Sequence, residues 1–163
     1  MKTFLVSLLS IGLLMGCSSS VSVNPVDWFS DATAPQFTID IRAESNINPN
    51  VDNLPSPVEI RIYQLADSEA FNQADFIQLY NDDQGALKAG LLSKRYLPSV
   101  MPGETRREVI LANAETKFVG VIVAFANYRE ANNKAIFTSF GNWSQTITLQ
   151  LDGINLTMTG TED

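Results

Sequence analysis

The sequence has no histidine and only one cysteine among its 163 residues. The absence of histidine excludes Ser-His-Asp and Cys-His catalysis, His-ligated zinc and a histidine-based pH switch. A lone cysteine excludes an intramolecular disulfide. Cations are also scarce, because 11 Lys and Arg residues stand against 18 Asp and Glu residues, which leaves a formal charge of −7. Such an acidic chain is poorly suited to phosphate backbones, so we expect no nucleic-acid partner.

An apolar run follows Lys2 and ends at the only cysteine, Cys17. The run is shorter than the about 20 apolar residues of a membrane span, and its length suits a secretory signal peptide. The ending Leu14-Met15-Gly16-Cys17 resembles the bacterial lipobox. The sequence therefore predicts a cleaved lipoprotein signal peptide over residues 1–16, with a diacylglycerol group and an N-acyl chain on Cys17. Several acyl chains would hold the protein firmly on a membrane, and we expect no other cofactor and no metal.

The segment after the cysteine predicts an acylated tether over residues 17–35, because it is rich in Ser, Asn and Pro and has no sustained period. It begins with Ser18, whereas an aspartate at this place resembles an inner-membrane retention signal in enterobacterial lipoproteins. The absence of that aspartate favours the outer membrane. Trp28 and Phe29 interrupt the tether, and they either pack on the outside of the domain or contact a membrane interface or a partner.

Alternating apolar residues predict strands in the remaining domain, residues 36–163. Clear alternation marks residues 37–43 and 58–63, with their apolar side chains facing inward. Residues 117–125 are almost continuously apolar, which indicates a central strand covered on both faces. The pair Asp152-Gly153 is a strong hairpin signal near the end of the chain.

A helical stretch separates two groups of strands. Asp75 followed by Gln78 fits a capping box that opens a helix at Phe76. We expect the polar run at residues 82–85 to break that helix. About six to eight short strands with one helical excursion predict a mainly β fold, a β-sandwich with a short helical insertion.

A long loop lies between the first two predicted strands, and it holds three prolines and four asparagines. Loops of this length are often functional. Ile47, Val51 and Leu54 offer apolar anchors, and the asparagines offer hydrogen-bonding amides. From the residues alone, a partner-binding loop and an inert connector are equally supported. The candidate partner-binding residues are Asn46, Ile47, Asn48, Pro49, Asn50, Val51, Asp52, Asn53, Leu54, Pro55, Ser56 and Pro57.

No catalytic residue stands out, so we do not expect an enzyme. A glycosidase could operate with paired carboxylates and no histidine, and Asp82-Asp83 and Glu59 are the candidates. All three are expected to be solvated surface residues without a cause for a raised pKa. Tyr63 and Trp143 could act as carbohydrate platforms, although packing at a sandwich edge is the default expectation.

Several segments of the domain resemble one known family, the outer-membrane lipoproteins of type VI secretion systems of the TssJ (SciN) type. The likeness covers about residues 37–158. It is carried by the lipobox, the Asn48-Pro49 loop, Val58-Glu59-Ile60-Arg61-Ile62-Tyr63-Gln64-Leu65, Ala70-Phe71, Ala74-Asp75-Phe76, Leu79-Tyr80, Leu91-Leu92, Met101-Pro102-Gly103-Glu104 and the strand from Val119 to Phe125.

The resemblance implies a transthyretin-like β-sandwich with extra helices, held by acylated Cys17 on the inner leaflet of the outer membrane and facing the periplasm. It also implies that residues 46–57 bind the periplasmic C-terminal domain of a large inner-membrane protein, with no small-molecule substrate. Proline-stiffened loops lose less entropy on docking, which agrees with this role. Two other hypotheses are a lipid-anchored envelope enzyme or glycan-binding module, and a pilotin-like lipoprotein of another secretion apparatus.

Overall fold

Two four-stranded sheets make up the computed structural model, which describes residues 35–139 and 145–162. The strands of the described part are β1 (Gln36–Ala43), β2 (Ile60–Leu65), β3 (Leu91–Tyr96), β4 (Thr105–Leu111), β5 (Phe118–Val123), β6 (Lys134–Thr138), β7 (Gln145–Asp152) and β8 (Asn155–Glu162). One sheet has the order β4-β1-β7-β8 and the other the order β3-β2-β5-β6. All neighbouring strands are antiparallel except β1 and β7, which run parallel. The predicted β-sandwich with a helical insertion is confirmed.

The alternation of β1 explains why the sheets pack face to face. Phe37, Ile39 and Ile41 are buried, while the residues between them are not. In the parallel register, Ile39 lies beside Ile147 and Ile41 beside Leu149, so both strands send their apolar rows to the same core. Each such side chain contributes about 1.5–3 kcal/mol when it is removed from water.

The second sheet has apolar residues on both faces, as the continuous pattern of the central strand predicted. In β2, Ile60 and Ile62 face the core between the sheets. Tyr63, Leu65 and Ile122 face the opposite side, where they form a second apolar cluster with the helical insertion. The sheet is therefore the middle layer between the first sheet and the helices.

The helical insertion lies between β2 and β3 and comprises α1 (Glu69–Gln73), α2 (Phe76–Leu87) and a 3₁₀ turn (Lys88–Gly90). The predicted capping box is confirmed. The Gln78 backbone N–H donates to Asp75 Oδ1 at 2.8 Å, and the Asp75 N–H donates to Gln78 Oε1 at 2.9 Å. These two bonds satisfy backbone donors that a helix start leaves unpaired.

The break predicted within residues 82–85 is present at Asp82, although helical structure resumes beyond it. Asp82 does leave helical geometry, with φ −147° and ψ 68°. Its carboxylate nevertheless accepts the backbone N–H of Gly85 at 2.9 Å, as an N-cap does, and a further turn continues to Leu87. The aspartate thus bends the helix and restarts it.

Contacts of Phe71 and Lys134 help to fix α1 to the sheet. The ring of Phe71 lies over Gly120 of β5, where an added Cβ would come within 2.8 Å of the ring. The Nζ of Lys134 on β6 donates to the carbonyl oxygens of Phe71 at 3.0 Å, Asn72 at 3.1 Å and Ala74 at 2.6 Å. A cation at the carbonyl end of α1 is favourable for the helix dipole.

Some predictions fall outside the described residues: the signal peptide (1–16), Cys17, Ser18, Trp28, Phe29 and Trp143. Within the residues that the structure describes, no helix has the length and apolar character needed to cross a membrane.

Candidate functional site

Four connections gather at one end of the sandwich, which we call the loop end. They are the β1–β2 loop (44–59), the β3–β4 connection (97–104), the β5–β6 connection (124–133) and the β7–β8 turn (153–154). They meet because β1 and β7 run parallel and finish side by side, with Ala43 opposite Leu151. The first residue of β1, Gln36, lies at the opposite end.

The base of the β1–β2 loop is clamped by the buried Asn48. Its side-chain Nδ2 donates to the Pro57 carbonyl at 2.8 Å, and its Oδ1 accepts the Ala126 backbone N–H at 2.7 Å. Its own N–H donates to the Gly153 carbonyl at 2.8 Å. Asn48 adopts a positive φ of 48°, a conformation that asparagine tolerates better than most residues. One residue, through its side chain and its backbone N–H, therefore joins three of the connections.

Burial corrects two of the sequence expectations for the loop. Ile47 has no exposed surface and belongs to the core between the sheets, so it is not an apolar anchor for a partner. Asn48 is only 5% exposed, and both polar atoms of its amide are used internally. The pattern of alternating Asn and apolar residues gave no signal that the first turn of the loop folds inward.

The tip of the loop is a closed turn built around Asn50. Its Oδ1 accepts the backbone N–H groups of Asp52 at 2.9 Å and Leu54 at 3.0 Å. Its backbone N–H donates to the Leu54 carbonyl at 2.9 Å, and Asn53 takes a positive φ of 59°. Internal hydrogen bonds of this kind hold the tip in one conformation.

This fixed tip presents two apolar side chains to solvent. Val51 is 98% exposed and Leu54 is 60% exposed. Exposed apolar side chains on a rigid loop are typical of an interaction site. Of the other loop residues, Asn46, Asn50, Asp52, Asn53, Pro55 and Pro57 are exposed, and Pro49 and Ser56 are half-buried.

A groove of about 640 Å³ runs beside the tip. One wall is the loop, and the other is formed by Ala126 and Asn127 and by the β7–β8 turn with Ile154 and Asn155. No sequence pattern indicated this second wall. The Asp152-Gly153 signal predicted the turn, and Gly153 has the positive φ of 58° that it requires, but only the tertiary fold places the turn beside the loop.

The residues considered for chemistry do not assemble into a catalytic site. Asp83 is only 6% exposed and pairs with Lys94 Nζ at 2.5 Å, while the Tyr96 hydroxyl donates to its other oxygen at 3.2 Å. The expectation of a solvated Asp83 is therefore wrong, because the bend of α2 turns this carboxylate towards β3. Glu59 pairs with Arg61 Nε at 3.0 Å. Within the described ranges, no group of three or more metal-ligating side chains comes together.

Tyr63 cannot act as a carbohydrate platform. Its side chain has no exposed surface, because α1 covers it and the Phe71 ring lies 6.0 Å from it between centroids. Burial raises the pKa of the Tyr63 hydroxyl. Among the described residues, this hydroxyl has no hydrogen-bond partner.

Comparison with known proteins identifies similar sequences and folds. The model of the type VI secretion lipoprotein family (VasD, EvfM, TssJ) matches residues 35–154. No curated protein matches the chain. The lipoprotein TssJ1 from Pseudomonas aeruginosa superposes with a TM-score of 0.74 at 22% identity, over 80% of this chain and 98% of that one.

Two further structures share the fold. Lip from Serratia marcescens, a membrane-bound component of the type VI secretion system, gives a TM-score of 0.69 at 20% identity, over 80% of this chain and 99% of that one. A chain in the structure of the T6SS protein TssM C-terminal domain from EAEC gives 0.63 at 22% identity, over 76% and 97%.

Proposed function

We propose that this chain, which belongs to the type VI secretion lipoprotein family, anchors a secretion complex that spans the cell envelope. In this proposal, acylated Cys17 holds the protein on the inner leaflet of the outer membrane, facing the periplasm. The loop end binds the periplasmic C-terminal domain of a large inner-membrane component of the TssM type. The protein acts by connecting the two and catalyses no reaction.

The observation that carries the proposal is the rigid tip with Val51 and Leu54 exposed. Apolar side chains on a preorganised loop can bind without first paying the entropy of ordering that loop. A chain of this fold occurs in the structure of the TssM C-terminal domain from EAEC. This supports the choice of a TssM-type partner.

The layout of the domain supports the division between anchor and binding site. β1 has eight residues, which span about 26 Å at about 3.3 Å each. The tether joins this strand at Gln36, whereas the loop end begins after Ala43. In this proposal the anchored segment enters the domain at Gln36, at the end of β1 opposite the loop end.

The described residues do not support the competing hypotheses of an envelope enzyme or glycan-binding module and of a pilotin-like lipoprotein. The glycan-binding alternative depended on Tyr63, which is buried, and on Trp143, which lies outside the described residues. The family match is to type VI secretion lipoproteins, which favours this system over another secretion apparatus.

The binding half of the proposal is tested with the double variant Val51→Ser, Leu54→Ser. Its affinity for the purified periplasmic C-terminal domain is measured by calorimetry. We expect a loss of at least about tenfold, because truncating buried interface anchors typically costs about 2 kcal/mol or more. Val109→Ser is the control, since Val109 is an exposed apolar residue (49%) that lies on β4, away from the loop end. A double variant that binds like the wild type would place the contact elsewhere.

The anchoring half is tested with Cys17→Ser and membrane fractionation. We expect the variant to fold but to leave the outer-membrane fraction, because the acyl chains have no attachment site. Retention of the variant in that fraction would contradict the proposed anchor.

A further inference from the structure

We propose that the groove at the loop end accepts an uncharged segment of the partner, docked through its backbone amides and one or more apolar side chains. This inference rests on the proposed function, because it states what kind of chain the same site takes. Its evidence is the chemistry of the groove walls.

No charged side chain is among the nine residues that line the groove. The lining comes from the β1–β2 loop, the β5–β6 connection, the β7–β8 turn and the start of β8. A charged partner side chain would lose its hydration in the groove without meeting a counterion in the lining, which is costly. The neighbouring carboxylates Asp152 and Glu130 already accept hydrogen bonds from Asn46 and Asn127. The groove therefore selects against charge.

Amide side chains supply most of the polar lining. They come from Asn50 and Asn53 on the loop, Asn127 on the β5–β6 connection and Asn155 at the start of β8. Within the described part of the chain, Asn50 Nδ2 and the side chains of Asn53 and Asn155 make no hydrogen bond, whereas Asn127 Nδ2 donates to Glu130. An amide offers both a donor and an acceptor, which matches the peptide backbone of a docking segment.

Apolar groups face the same space from both sides. Val51 lies on the loop wall and Ile154 on the wall of the β7–β8 turn. The volume of about 640 Å³ is within the range of about 300–1,000 Å³ that binding pockets usually have. It is large enough for an apolar side chain together with its backbone.

The two walls are already joined in the free protein. The Asn48 N–H donates to the Gly153 carbonyl, and the Gly153 N–H donates to Asn46 Oδ1 at 3.2 Å. Asn132 exchanges two hydrogen bonds with the backbone of Leu156, both at 2.8 Å, which ties the β5–β6 connection to β8. The groove is therefore a preformed feature.

The experiment compares Asn155→Arg with Thr157→Arg in the full acylated chain, purified in detergent. Both residues are exposed on β8 two positions apart, and only Asn155 lines the groove. Affinity for the periplasmic C-terminal domain of the inner-membrane partner is measured by calorimetry, and a thermal melt checks each fold. The wild type is also titrated at about 0.05 M and about 0.5 M NaCl, which requires no variant.

We expect Asn155→Arg to weaken binding at least about tenfold and Thr157→Arg to stay within about twofold of the wild type. We expect the wild-type Kd to change by less than about threefold between the two salt concentrations, since no ion pair is formed. A steep dependence of the wild-type Kd on salt concentration would contradict the proposal that the docked segment is uncharged. If Asn155→Arg binds normally while Val51→Ser, Leu54→Ser does not, the groove is not used, although the proposed function stands. If all of these variants bind normally, both proposals fail.

Discussion

Two long excursions interrupt the strands of the sandwich, the helical insertion and the β1–β2 loop. They differ in how far their apolar side chains are exposed to solvent. The helical insertion between β2 and β3 buries Phe71, Leu79 and Leu87 against the outer face of the second sheet. The loop between β1 and β2 instead leaves Val51 and Leu54 in solvent while it fixes its own backbone with hydrogen bonds. Both excursions are ordered, but the loop leaves its apolar side chains much more exposed than the insertion does, where Ile77 is exposed to 38%.

This difference separates a structural role from a binding role. Apolar side chains in the insertion stabilise the fold, since their burial is complete without any partner. The two on the loop tip contribute little to the isolated domain, and in the proposed complex the partner would bury them. Variants in the insertion should therefore change stability, and variants at the loop end should change affinity.

The largest effect is expected for Phe71→Ala. Loss of a fully buried ring typically lowers the free energy of unfolding by about 3–5 kcal/mol, and Phe71 is 1% exposed. Chemical denaturation measures this. Partner affinity of the folded variant should stay within about twofold of the wild type. A folded Phe71→Ala protein that has lost its partner would show that the insertion also shapes the binding site.

Asn48→Ala should combine both effects, because Asn48 belongs to the fold and also supports the loop. The change leaves the Ala126 N–H and the Pro57 carbonyl without their partner, at a cost of about 1–3 kcal/mol. Asn53→Ala is the matched control. It shares the positive φ but loses no internal side-chain hydrogen bond among the described residues. Equal stability of the two variants would contradict the clamp assigned to Asn48.

Lys134→Met should lower stability by about 1–2 kcal/mol, because three carbonyl groups at the end of α1 lose their charged donor. Methionine retains much of the apolar stem. Lys117→Met is the control, since Lys117 is an exposed lysine just before β5 whose side chain makes no such contacts among the described residues. Thermal melts compare the stabilities of the two variants. A loss of partner affinity in Lys134→Met would show that the helical insertion also contributes to binding and would contradict its purely structural role.

The alternation in residues 37–43 predicted the faces of β1 well, since one face of this strand is buried and the other is not. β6 was missed because Lys134 to Phe137 are all half-buried, so neither alternation nor a continuous apolar run appears. The burial of Asp83 depended on Lys94, a residue on another element. Contacts of that kind cannot be read from local periodicity.

The candidate site was predicted only in part for the same reason. Composition marked the loop as a candidate, and the exposure of Val51 and Leu54 agrees with the roles expected of them. The inward turn at Ile47 and the second wall of the groove depend on where β1, β7 and the β5–β6 connection end in space. Local sequence does not encode that arrangement in a recognisable pattern.

The smallest effect is expected far from both excursions, at the Asp40–Arg107 pair on the first sheet. Arg107 donates to both Asp40 oxygens at 2.6 and 2.7 Å, and this hydrogen bonding holds the pKa of Asp40 below its ordinary value. The pair therefore contributes stability above the unfolded pKa, which is lost as the pH falls through the folded pKa. Asp40→Asn should cost at most about 1 kcal/mol at neutral pH. Denaturation at about pH 2 should show a smaller difference, and a larger one would contradict this sign.

Hydrogen–deuterium exchange of the full chain, free and bound to the periplasmic C-terminal domain, tests the central claim most directly. We predict slower amide exchange on binding at residues 50–54, 126–127 and 153–155, with no change at residues 69–87. Protection of the helical insertion with an unchanged loop end would contradict the assignment of the binding site to the loop end.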